Sequence, residues 1–152
     1  MKRIFKSFMV LSLGLAVLAT GCKKDTEENY AKDISGTYIG TLSLAGTVVG
    51  QDVSINVAEK NKTTVTLGLN TTLPGLPVVG NLPLDVSCDA TVAKSGDNYT
   101  INGSSTVNVL DGDKPITIAG PITSAGQADL TISITLVEGT PAISVAFSGT
   151  KK

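Results

Sequence analysis

Histidine and tryptophan are absent from the 152 residues, cysteine occurs twice, and aromatic residues make up only 4% of the chain. Without histidine the usual general base and the commonest metal ligand are missing, so Ser-His-Asp hydrolases, zinc enzymes and metalloproteases lack an essential part. Charge is sparse as well. Twelve basic residues against 13 acidic ones give a formal net charge of -1, which leaves no electrostatic footprint for nucleic acid. With 16% charged and 41% apolar residues the chain is too hydrophobic to be disordered, and its length allows one ordinary globular domain. Between the apolar runs of the body no stretch has helical spacing, which excludes βαβ crossovers and a parallel sheet.

The N-terminus has the three zones of a secretory signal: Lys2, Arg3 and Lys6, then the apolar run 8–18, then Ala19-Thr20-Gly21. The run has 11 residues, well short of the ~20 that a membrane-spanning helix needs, so residues 1–21 are expected to be cleaved. Leu18-Ala19-Thr20-Gly21-Cys22 resembles the lipobox of bacterial lipoproteins, with Ala19 where Leu is more usual. That resemblance implies lipid attachment at Cys22 and a membrane as partner, since acyl chains contribute about 0.8 kcal/mol per buried CH₂. Residues 22–33 begin Cys22-Lys23-Lys24-Asp25-Thr26-Glu27-Glu28 and lack apolar periodicity, so they are expected to form a solvated, flexible tether ahead of a domain over 34–152. Lysine followed by a small acidic cluster also looks like the export signal of surface lipoproteins, although such a cluster serves equally as a hydrated spacer. From Cys22 onward nine basic and 13 acidic residues give a formal charge of -4. An acylated Cys22 leaves Cys88 without a disulfide partner.

Beyond residue 33 apolar and polar residues alternate with period two, the mark of half-buried strands. Eight runs are predicted, over 36–45, 51–59, 62–71, 82–93, 99–109, 116–123, 128–136 and 143–149. The stretches between them, such as Ser95-Gly96-Asp97-Asn98 and Ser124-Ala125-Gly126, carry the Gly, Asn and Asp that tight hairpins require. Eight antiparallel strands in succession predict an all-β, up-and-down barrel, with a two-sheet sandwich as the other solution. A small outer-membrane barrel needs aromatic girdles, and from Cys22 onward only Tyr30, Tyr38, Tyr99 and Phe147 are aromatic; the apolar face is therefore placed inward. The segment 72–81, rich in Pro and Gly, is too irregular for a central strand and is expected to form either a flap over a barrel mouth or a plug over one end of the core.

Ile34-Ser35-Gly36-Thr37-Tyr38-Ile39-Gly40-Thr41-Leu42, Ala128-Asp129-Leu130-Thr131-Ile132 and Val145-Ala146-Phe147-Ser148-Gly149-Thr150-Lys151 resemble the calycin-like β-barrel lipoproteins of Gram-negative bacteria, over roughly residues 33–152. Gly36-Thr37-Tyr38 also resembles the Gly-x-Trp opening of lipocalins, with Tyr in place of Trp, and the resemblance implies that a basic residue, here Lys151, packs over that aromatic. It implies a fold and an outer-membrane location, with surface exposure as a further expectation, rather than an activity.

No catalytic constellation emerges, and no enzyme, cofactor or nucleic-acid partner is expected. Cys88 lies between Val86 and Ala90 on the apolar face, where a thiol behaves as a small hydrophobe. Asp111-Gly112-Asp113, with Asn108 nearby, lacks the remaining ligands of a calcium loop and suits a hairpin turn, so no metal is expected. The inferred lining is aliphatic: Leu42, Leu44, Val53, Ile55, Val65, Leu67, Leu84, Val86, Ile101, Val107, Ile118, Leu130, Ile132, Ile134, Val145 and Phe147. Gly36, Gly40, Gly103, Gly120 and Gly149 share that face and serve either to leave room for a ligand or to permit the bends that close a small barrel. Two functions follow: a membrane-anchored lipoprotein holding a small apolar ligand, or a packed barrel that recognises an envelope protein or glycan.

Overall fold

The computed structural model describes residues 28–76 and 79–152. Residues 1–27, with the expected signal segment and Cys22, lie outside the described residues. A short helix, α1 (Tyr30–Ile34), precedes eight strands: β1 (Gly36–Leu44), β2 (Thr47–Asn61), β3 (Thr64–Leu76), β4 (Gly80–Ser95), β5 (Asn98–Val109), β6 (Gly112–Thr123), β7 (Gln127–Ile134) and β8 (Ile143–Lys151). Each strand pairs antiparallel with the next, and β8 returns to β1 with Tyr38 opposite Lys151, closing an up-and-down barrel. Alternation dictates which face goes in. Along β4 the residues Leu82, Leu84, Val86, Cys88, Ala90 and Val92 are buried while the intervening ones are exposed. The inferred lining is buried throughout apart from Leu44, which is partly buried. No buried polar or charged residue occurs among the described residues.

Two expectations are corrected. The expected tether 22–33 is not a free linker over its described part, although Glu28, Lys32 and Asp33 are exposed. Asn29 caps α1 by accepting a hydrogen bond from Lys32 N at 3.0 Å, and Ala31 and Ile34 are fully buried, so the domain begins before residue 34. Five residues are too few for a stable isolated helix; packing supplies the order. The second correction concerns 72–81. The β3–β4 ladder runs on through Thr72↔Pro83 and Leu73↔Leu82 to Leu76↔Gly80, so these residues extend a hairpin, with Pro77 and Val78 outside the described residues. Prolines are tolerated there because the neighbouring ladders have ended: β2–β3 pairing starts at Ile55↔Leu69 and β4–β5 pairing at Ala90↔Gly103. Ser105 donates its hydroxyl to the Ser87 carbonyl at 3.3 Å across the open β4–β5 seam. The hairpin's inner residues Leu73, Leu76, Leu82 and Leu84 are buried, so its outer half continues the core face of β3 and β4.

Strand limits also move at the turns. The expected turn 111–114 sits one residue earlier, with Leu110 and Asp111 both at positive φ (51° and 59°) as a two-residue hairpin turn requires, and β7 stops at Ile134 rather than at 136.

Candidate functional site

A function can sit in the interior, at either end or on the outer wall. The interior is filled. A cavity large enough for a ligand leaves its lining accessible to a water-sized sphere, yet Leu42, Ile55, Val65, Leu67, Ile101 and Ile118 are all 0% exposed and Phe147 only 1%. The inward glycines are explained by close approach. A Cβ on Gly40 would lie 2.1 Å from the Ser148 carbonyl oxygen, one on Gly103 2.8 Å from that of Asp89, and one on Gly120 2.2 Å from that of Asp129. One on Gly149 would lie 2.6 Å from Cζ of Phe147, whose ring covers that glycine. The space they leave is occupied by neighbouring strands and by an aromatic ring.

Three titratable residues are buried in this core, Cys88, Tyr38 and Tyr99, and burial shifts the first two far. Burial, with the Asp89 charge adding to it, pushes the Cys88 thiol from an ordinary 9.0 up to about 11. Burial pushes Tyr38 from 10.0 up to about 12, and its hydroxyl donates to the Ile34 carbonyl at 2.7 Å. At neutral pH the Cys88 thiol is protonated and so is no nucleophile. Because both folded values are raised, their contribution to stability is complete below the unfolded value and is lost as pH rises to the folded one. Stability is therefore expected to fall between pH 9 and about 11 through Cys88 and between pH 10 and about 12 through Tyr38. The slope is at most ~1.4 kcal/mol per pH unit for each group. Urea unfolding across that range checks this, and Cys88→Ala should remove the first part of the decline only.

The end bearing α1 is plugged. Ala31 N donates to the Lys62 carbonyl at 3.1 Å, and Asn29 Nδ2 donates to Glu59 Oε1 at 2.7 Å. Tyr99 donates to Asp33 Oδ2 at 2.9 Å, and its ring centroid lies 6.3 Å from that of Tyr30. Lys94 Nζ stands 5.7 Å and 5.9 Å from these two ring centroids and 3.4 Å from Glu28 Oε2. Glu28 raises the Lys94 pKa by its charge and that of Tyr30 chiefly by its hydrogen bond, whereas Tyr99 is raised chiefly by burial and next by Asp33. Lys151, opposite Tyr38, reaches across Gly36 so that Nζ donates to the Asp33 carbonyl at 3.3 Å. Lys151 thus caps the C-terminal end of α1 through a backbone carbonyl, and the lysine that stands over aromatic rings at this end is Lys94. Lys60 pairs with Asp89 on the wall, which together with Thr66 holds that carboxyl below its ordinary range.

At the far end the β5–β6 hairpin rises beyond β7. Between Asp113-Lys114-Pro115 and Thr135, Leu136 and Glu138 lies a half-open notch of about 340 Å³. Asp113 accepts from Asn108 Nδ2 at 3.0 Å across the hairpin, and among the described residues no three acidic, Cys or His side chains converge as a metal site would. Among the described residues the large exposed apolar side chains, Val48, Leu110 and Val137, are all at this end, one on each of three connections or beside it. Sequence reasoning missed the plug and the notch, because both depend on which connections meet at each end of the closed barrel.

No protein-family model and no curated protein matches the chain. Among solved structures it is similar to the crystal structure of a "putative outer membrane protein" from Bacteroides fragilis, with a TM-score of 0.57 and 19% identity over 81% of this chain and 53% of that one. The chain therefore spans about half the length of that protein. At this identity the likeness is one of fold: a β-barrel shared with a protein so described.

Proposed function

We propose that this chain is an outer-membrane lipoprotein, anchored through lipid on Cys22, whose calycin-like barrel is a packed structural or interaction module rather than a carrier of a small apolar ligand. The filled interior carries the reading: admitting a ligand would mean displacing side chains such as Leu67, Ile101 and Phe147 that are now fully buried. An envelope location is supported by the signal-like start with its lipobox-like Leu18–Cys22 and by the description of the structural neighbour. The burial pattern supports an anchored barrel over a spanning one, because the wall turns Thr, Ser, Asn and Asp outward and aliphatic residues inward, the reverse of a barrel in lipid. The partner on this reading is an envelope protein or glycan, met at the cell surface if the lysine and acidic cluster after Cys22 acts as an export signal.

Cells fed an alkyne analogue of palmitate are expected to label the chain, and Cys22→Ser is expected to lose the label and leave the membrane fraction. Fluorescent fatty-acid probes should show no saturable binding to the protein at high micromolar concentration. A labelled Cys22→Ser chain refutes the anchor, and saturable probe binding restores the ligand carrier.

A further inference from the structure

Lysine is distributed unevenly along the barrel axis. Of the seven lysines among the described residues, six are at the plugged end: Lys32 in α1, Lys60 and Lys62 around the β2–β3 turn, Lys94 before the β4–β5 turn, and Lys151 and Lys152 after β8 returns to α1. Glu28, Asp33, Glu59 and Asp97 share that end, and Asp89 is ion-paired with Lys60 beside it, leaving a formal side-chain charge of +1. The far end carries Asp111, Asp113 and Glu138 against Lys114 alone, a charge of -2. Asp52, Asp85 and Asp129 lie on the wall between them. The pairs that some of these lysines make are exposed and leave the ammonium groups near water: side-chain exposure is 53% for Lys60 and 32% for Lys94.

The chain itself delivers the positive end to a membrane. Glu28 pairs with Lys94 at the plugged end, and the five residues between it and Cys22 allow six Cα–Cα steps, a span of at most about 22 Å in any arrangement. The potential of an anionic bilayer decays within a Debye length of about 8–10 Å. Twelve residues of β5, tilted as barrel strands are, place the far end on the order of 30 Å further out. An upright barrel thus sets its positive end within the field and its acidic end outside it, and an inverted barrel does the opposite.

We propose that the plugged end is a docking surface for an anionic lipid bilayer and holds the barrel upright, so that the apolar tips Val48, Leu110 and Val137 and the notch beside Leu136 point away from the membrane. The proposal rests on the anchoring of Cys22 for the position of the membrane, and its test supplies that anchor chemically. The chain from Cys22 onward, which contains every described residue, is coupled through its Cys22 thiol to a maleimide-headgroup lipid in vesicles; buried Cys88 does not compete. Lysines are then acetylated and read one by one by mass spectrometry, with Lys114 as internal reference. On phosphatidylglycerol-phosphatidylcholine vesicles Lys32, Lys60, Lys94 and Lys152 are expected to react about fivefold more slowly than on pure phosphatidylcholine, a difference that high salt erases while Lys114 stays constant. Equal rates on both vesicle types, or protection of Lys114, overturns the proposal. Failure of palmitate labelling in cells refutes biological anchoring and leaves this measurement standing.

Discussion

Gly120→Ala and Gly40→Ala are each expected to cost about 4 kcal/mol or more, close to the whole stability of a small domain. At Gly120 the backbone has φ +152°, which side chains rarely adopt, and a Cβ would meet the Asp129 carbonyl oxygen at 2.2 Å and Leu130 Cα at 2.9 Å. Neither neighbour can rotate away, because both are backbone of β7; the ladder there already omits Gly120 and Pro121 from its register. At Gly40, opposite Gly149, the obstruction is the Ser148 carbonyl at 2.1 Å and Gly149 Cα at 2.4 Å. Gly68→Ala is the matched comparison. Its added methyl would meet nothing closer than Asn56 Cβ at 3.9 Å, so the substitution should be neutral or stabilising by up to ~1 kcal/mol through the unfolded state. Urea unfolding of the three variants checks the contrast. A small effect at Gly40 and Gly120 would mean that the strands do not approach as closely as the closed barrel requires.

The alternation that made the eight strands legible follows from the pleat alone: Val65, Leu67 and Leu69 must share a face whatever lies beyond it. Its phase also continues to Leu73, a signal for the longer hairpin that Pro74, Gly75 and Gly80 obscured by their usual meaning as breakers. Only the closed topology discloses that the neighbouring ladders have ended there. Helix α1 was hidden for a different reason. Ala31 and Ile34 are one turn apart among charged residues, too short a pattern for a period to be counted, although Asn29 as a cap was a usable clue. The inward glycines left two meanings open because the atoms that decide, Ser148 O for Gly40 and Asp129 O for Gly120, belong to other strands. The sorting of lysines to one end was likewise invisible along the chain, since Lys32, Lys62, Lys94 and Lys151 meet only after four connections and one terminus have been brought to the same rim.

Phe147→Ala is expected to cost about 3–5 kcal/mol and to turn a filled barrel into one with a dry apolar cavity. Phe147 lies between Leu42 and Leu130 in register, is 1% exposed, and folds its ring over Gly149, so no methyl group stands by to take its place. Leu42 and Leu130 are held by strands bonded on both sides, which limits collapse into the gap. Benzene or xenon should therefore bind the variant and raise its melting temperature, while the parent chain stays unchanged in the same titration. The comparison bears on function as well as on packing. A benzene response confined to the variant means that the phenyl ring is what keeps the parent barrel closed to apolar molecules, and a partner must then be met on the rim or the wall. An equal response in both would mean that the interior already admits small apolar molecules, and the ligand-carrying reading would displace the packed module.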